Sequence, residues 1–266
     1  MNLTKELYHK QRDWSKFYTE CDYNITFAKL YQEQVHESWN ELFEKLIKDP
    51  RMDNIYKIIT DDINDNKQIF PKPDNIFNAF KYSLDDIKVV IVGQDPYFGT
   101  ENYGDHPVPQ AMGLSFSVPF GFNVPSSLQS IYNNMVNFKV IKRTPNHGNL
   151  EFWACQGCFM INSALTVRCG EPNSHANEWR WFTNMIINYI SEKLPFVVFV
   201  LWGSDAMKKS SIIDLDKHEA LISSHPSGLS ASKPLQSYPP FNTVNHFEQI
   251  NKLLTKKGKD KVIWRM

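Results

Sequence analysis

The residues best suited to chemistry sit in four short polar breaks, each placed behind an apolar run. Gln94-Asp95-Pro96-Tyr97 follows Val89-Val90-Ile91-Val92-Gly93, and Asn162-Ser163 follows Cys158-Phe159-Met160-Ile161. Gly203-Ser204 closes the run that begins at Phe196, and His225-Pro226-Ser227 comes shortly after Glu219-Ala220-Leu221-Ile222. Together they offer one carboxylate, two carboxamides, one imidazole and several hydroxyls. A carboxylate can take a proton from water or steady a cationic centre, and an imidazole can donate to an anion as it forms. Pro96 fixes its own φ and keeps Asp95 out of the α region, so the carboxylate stands in a stiff loop. The set does not match zinc-ligand spacing. A Gly-x-x-x-x-Gly-Lys phosphate cradle and a nucleophile elbow are both missing from the chain.

These breaks need elements that hold them together. The β-branched, non-alternating run at 89–92 suits a strand buried on both faces, as do 158–162 and 196–201. A fourth strand is expected at 219–222. Helical patterning fills the intervals. Val35, Trp39, Leu42, Phe43, Leu46 and Ile47 share a face in a helix starting near Glu33, with Pro50 just beyond it. Further helices are expected at 55–63, at 75–82, from the opening Pro125-Ser126-Ser127 through Val136, from Asn149 to Trp153, at 176–194, at 205–211 and at 243–254. Residues 61–67 and the Gly- and Pro-rich stretch 99–115 read as loops. Strands alternating with helices predict an α/β fold: a three-layer α/β/α arrangement around a mostly parallel four-stranded sheet. Parallel strands present their C-terminal ends on one rim, where ligands bind in open α/β sheets, so four unusual strand ends make one site.

Composition sets the outer bounds. The chain has 266 residues, 42% of them hydrophobic and 22% charged, and a formal net charge of zero. That supports a sizeable core, and it means that any nucleic-acid binding must come from a local patch. Residues 1–30 read as an N-terminal arm, and 31–266 as a single catalytic domain. The segment Gln11–Tyr18 faintly resembles a sliding-clamp-binding peptide. Four cysteines make no secreted framework, and Cys155 and Cys158 read as packing residues. With no signal peptide or membrane span visible, the expectation is an intracellular monomer, cytoplasmic if bacterial and nuclear if eukaryotic or viral.

The motifs Gly93-Gln94-Asp95-Pro96-Tyr97, Gly113-Leu-Ser-Phe116-Ser, Asn162-Ser-Ala-Leu-Thr-Val-Arg168, Asn173-Ser-His175, Leu201-Trp-Gly-Ser204 and His225-Pro-Ser-x-Leu229-Ser230 occur in the order seen in family 1 uracil-DNA glycosylases. The chain resembles that family from about Glu37 to Trp264. The resemblance implies hydrolysis of the N-glycosidic bond of deoxyuridine in DNA, single- or double-stranded, without a cofactor. It implies that Asp95 and His225 are catalytic, the first toward water and the sugar cation, the second toward uracil O2. Phe116 would stack on the flipped base, and Asn162 would read uracil O4 and N3–H. Tyr97 would exclude the thymine methyl, and Gln94 would fix the base or the loop. Ser127, Ser204, Ser227 and Ser230 match serines that grip DNA phosphates. Leu229 matches the wedge that fills the gap left by the base, and Lys233 stands where a phosphate contact is plausible. Lys208 and Lys209 could add local positive potential. A small acidic inhibitor protein that mimics DNA, known to target this family, is a further implied partner.

The chain also departs from the family pattern. Phe98 stands where the family usually has histidine, and Gly228 replaces the proline before the wedge. The stretches 99–111 and 231–241 are longer than usual. His106, inside the first, is a candidate for the missing donor, and Pro234–Phe241 for extra contacts in the DNA groove. These departures are the support for an alternative, a weak or inactive DNA-binding or replication-scaffold protein on the same fold.

Overall fold

The computed structural model describes residues 27–103 and 106–265. The N-terminal peptide Gln11–Tyr18 and most of the expected arm lie outside the described residues.

Four strands form the central sheet, β2 (Val89–Gly93), β5 (Cys158–Asn162), β7 (Val198–Trp202) and β8 (Glu219–Ser223), while β1 (Ile69–Phe70) with β6 (Val167–Arg168) and β3 (Thr100–Tyr103) with β4 (His106–Pro109) make two small side pairs. Their spatial order is β5-β2-β7-β8, and every pairing is parallel. Every residue of β2, β5 and β7 is buried, as runs without alternation require. β8 is the edge strand and is buried only at its last residue. The register sets Gly93 beside Asn162 and Trp202 beside Ser223, so the polar strand ends fall on one rim.

Helices cover both faces: α1 (Phe27–Gln34), α2 (Asn40–Ile47), α3 (Pro50–Asn64), α4 (Ser126–Asn137), α5 (Glu151–Ala154), α6 (Ala176–Lys193), α7 (Ser204–Met207) and α8 (His246–Lys256). The core between sheet and helices is strongly aromatic. Trp39, Phe43, Phe77, Phe80, Phe159 and Phe182 contact one another with ring centroids 4.9 to 6.3 Å apart. Each such ring, fully buried, stabilises the fold by about 1.5–3 kcal/mol.

Several boundaries differ from the sequence expectation. The helix expected from Glu33 is two helices, α1 and α2, with a 3₁₀ turn at Glu37–Trp39 between them. His36 causes the break. Its ring Nδ1 accepts from Ser38 N–H, and its own N–H donates to the Phe80 carbonyl across the fold. Pro50 opens α3 instead of following α2, because Asp49 caps Arg51 N–H at 2.9 Å and proline needs no donor at the first helical position. In place of the helix expected at 75–82 there are two 3₁₀ turns, Pro73–Asn75 and Asn78–Lys81. The stretch 99–115 contains a β-hairpin, β3 (Thr100–Tyr103) paired antiparallel with β4 (His106–Pro109). Two prolines within β4 masked this strand in the sequence. A further two-residue pair, β1 (Ile69–Phe70) with β6 (Val167–Arg168), ties the end of α3 to the loop after β5.

Candidate active site at the strand ends

The rim holds a cavity of about 160 Å³, lined by Gln94, Asp95, Tyr97, Phe116, Asn162 and His225 together with Ser127 and Phe98. A cavity of roughly this volume accommodates one six-membered ring.

Each side chain is placed by the backbone beneath it. Asn162 ends β5 and lies against Gly93, where any Cβ would collide with Asn162 Oδ1 and crowd Ser115. Glycine is therefore required at 93 for the carboxamide to sit where it does. Asn162 is buried, yet its side chain has no hydrogen-bond partner among the described residues, so its donor and acceptor remain available to a guest. Phe116 adopts φ +63°, a conformation rare for an aromatic residue. The flanking serines hold it there: Ser115 N–H donates to the Met160 carbonyl, Ser115 Oγ to the Ile91 carbonyl, and Ser117 Oγ accepts from Leu150 N–H. The Phe116 ring meets Trp202 edge-on at 5.7 Å and lies 5.9 Å from the His225 ring.

Tyr97 is locked as a wall. Its hydroxyl donates to the Phe116 carbonyl at 3.2 Å, and burial pushes its pKa well above the ordinary value. It packs against Phe70, Ala111 and Val167 on one side and Val108, Val118 and Phe122 on the other. Val108 belongs to the hairpin, so this unexpected element buttresses the wall. Glu101 in β3 also accepts from the backbone and side-chain amides of Asn123, which leads into α4. The His106 side chain lies outside the described residues.

Asp95 Oδ2 accepts the backbone N–H of Asn173 at 2.7 Å. Burial raises the Asp95 pKa, and hydrogen bonds from the Asn173 and Asp95 N–H groups only partly oppose this. Asn173 also accepts Gln94 Nε2–H at 2.6 Å and has φ +64°. It belongs to a motif noted in the sequence, but nothing there assigned it to the carboxylate. Behind it lies a buried polar cluster. Asp62 accepts from Arg168 Nε at 2.6 Å and pairs with His175 Nε2 at 2.9 Å, while His175 Nδ1 meets Thr166. This cluster anchors the loop that presents Asn173 to Asp95.

His225 Nδ1 accepts Ser227 N–H at 3.0 Å, so the proton of the neutral ring is on Nε2. Burial pushes its pKa down to about 4, and the ring is neutral at neutral pH. Gly203 makes room for it: φ is +92°, and a Cβ there would press on the His225 side chain.

The phosphate-contact candidates divide. Ser204, Ser230 and Lys233 line a second cavity of about 310 Å³ with Pro234 and Leu235, and Gln94 and His225 separate it from the first. Ser127 faces the first cavity. Ser227 lines neither; its N–H fixes His225 and its carbonyl accepts from Ser230 and Ala231 N–H, closing a tight turn. Leu229 caps that turn at 84% exposure. Of the 234–241 stretch, only Pro234 and Leu235 reach the second cavity. Phe241 is buried, its carbonyl bound by Asn134 of α4, which anchors the end of this stretch to the core.

The uracil DNA glycosylase superfamily model matches residues 80–255, which contain the whole rim. The uracil-DNA glycosylase of Francisella tularensis subsp. tularensis (strain SCHU S4 / Schu 4) is 42% identical over 231 residues, covering 86% of this chain and 99% of that protein. This chain belongs to the uracil-DNA glycosylase superfamily. Among solved structures, mimivirus uracil-DNA glycosylase superimposes with a TM-score of 0.85 at 34% identity, covering 95% of this chain and 93% of that one. A mimivirus variant in complex with UGI matches equally well, at 35% identity and 95% coverage of both chains.

Proposed function

We propose that this chain is a family 1 uracil-DNA glycosylase that draws deoxyuridine out of DNA and hydrolyses its N-glycosidic bond, leaving an abasic site. One observation carries the reading: the Asp95 carboxylate and the His225 imidazole line the same single-ring cavity, with the free carboxamide of Asn162 in it.

The chemistry follows from the groups. The extruded uracil stacks on Phe116, and Asn162 donates to O4 and accepts from N3–H. Cytosine presents the reverse pattern and leaves buried groups unpaired. Tyr97 stands where a 5-methyl group would need space. As the C1′–N1 bond breaks, its electron pair leaves with the base, and His225 Nε2–H donates to O2 as charge accumulates there. Asp95 faces the cationic sugar, orients a water for attack at C1′ and receives its proton. Leu229 fills the vacated stack, and Ser127, Ser204, Ser230 and Lys233 hold the backbone. A DNA-mimicking inhibitor would cover the same rim, in line with the UGI complex of the mimivirus relative.

The test is release of free uracil from a deoxyuridine oligonucleotide by the wild type, Asp95→Asn and His225→Ala. Rapid release by the wild type and strong loss in both variants is expected. A folded wild type that releases no uracil would end the proposal, and uracil release with unaltered variants would end the residue assignments.

A further inference from the structure

Gln94 borders three cavities, not two. The third, of about 350 Å³, opens between α6 and the turn 204–212 and is also touched by Asn173, the residue that holds Asp95. Its charged lining is Arg180, Lys208 and Lys209 against one carboxylate, Asp205, which Lys208 already binds at 3.0 Å.

The two lysines noted in the sequence behave differently. Lys208 is exposed, but Lys209 is only 5% exposed. Lys209 Nζ donates to Thr183 Oγ1 at 3.2 Å and to Asn184 Oδ1 at 2.6 Å, and both partners are neutral. No carboxylate lies within ion-pair distance of it among the described residues. A buried ammonium with no counter-charge is costly. Burial and the nearby Arg180 push its pKa down to about 8, and Asp205 only partly opposes them. On the same wall, the Ser163 hydroxyl is buried without a partner. The cavity therefore holds surplus positive charge, spare donors and one orphaned hydroxyl.

We propose that this cavity is a phosphate subsite, in which Arg180, Lys208 and Lys209 take a phosphodiester of the strand whose uracil fills the neighbouring base pocket. The inference rests on the glycosylase reading of that pocket. Gln94 lines both cavities and is held by Asn173 on the far side, so a strand leaving the base pocket past Gln94 reaches the cations. Free inorganic phosphate has the same chemistry and is the competing source.

The experiment compares the wild type with an Arg180→Gln/Lys208→Gln double variant, whose changes are at the surface, and with Lys209→Met. Substrates are a deoxyuridine trinucleotide and longer single strands extended on the 5′ side only or on the 3′ side only. On the trinucleotide, the double variant should match the wild type. On one of the two extended strands, its kcat/KM should fall about tenfold, and the slope of log KM against log salt should flatten by about 0.7, one phosphate's worth. An equal loss on the trinucleotide, or no loss on either extended strand, overturns the proposal. Length-independent kinetics combined with inorganic phosphate binding, followed by ³¹P NMR and lost in the double variant, would assign the cavity to a free anion instead. A wild type inactive on every substrate would refute the glycosylase reading itself, which is a separate outcome.

Discussion

Replacing His225 by alanine tests the chemistry most directly. The ring offers one N–H to the base, from Nε2, because Nδ1 is occupied by the Ser227 amide. With a pKa of about 4, roughly one molecule in a thousand carries a protonated ring at pH 7, so the donor is a neutral imidazole. Removing one donor aimed at a developing oxyanion costs on the order of 10²–10³ in rate, about 3 kcal/mol of barrier. The same substitution strands Ser227 N–H and should lower folding stability by about 1–3 kcal/mol. Single-turnover uracil release separates the two effects, because the surviving folded molecules report only the barrier. His225→Gln, which keeps an amide donor, should fall between wild type and alanine. In the wild type, the rate should not change as pH crosses 6.5, since the native ring does not titrate there. The acid limb should belong to Asp95, whose pKa is raised by burial, and should disappear in Asp95→Asn. A loss smaller than tenfold in His225→Ala would refute this account, as would an acid limb near 6.5 that tracks the ring by NMR.

Further expectations concern the frame around these groups. Gly93→Ala drives a Cβ into Asn162 Oδ1 and should cut uracil release at least tenfold, with isothermal titration of free uracil showing weaker binding. Leu229→Ala, at an exposed site, should leave urea stability within about 0.5 kcal/mol of wild type while lowering kcat/KM more on duplex than on single-stranded substrate. Asp62→Ala leaves Arg168 and His175 without their buried partner and should cost about 3–5 kcal/mol in chemical denaturation. Acid should weaken the fold between pH 6.5 and about 4. His225 and His246 both have native pKa values of about 4, whereas in the unfolded chain they bind a proton near 6.5. The unfolded state then holds more protons, so stability is full above 6.5 and declines by up to about 3 kcal/mol per histidine as pH falls to 4. Urea midpoints measured across that range check the sign and size.

What could be read directly from the chain is local. Apolar runs without alternation marked three of the central strands, because a strand buried on both faces needs no alternation, and Gly, Pro and polar residues marked their ends. Parallelism then followed from the intervening helices, and one shared rim followed from parallelism. Asp95, Asn162 and His225 were therefore legible as a constellation before any coordinates. The remainder depended on contacts between distant segments. The hairpin at 100–109 was hidden by its prolines, and its service to Tyr97 exists only because Val108 packs there. Asn173 could be seen as a motif residue, but its amide reaches Asp95 across 78 positions of sequence. Lys208 and Lys209 are identical neighbours in the chain. Only packing against α6 buries one ammonium and leaves the other in water, because about a third of a turn of 3₁₀ helix separates the two side chains and points them at different partners.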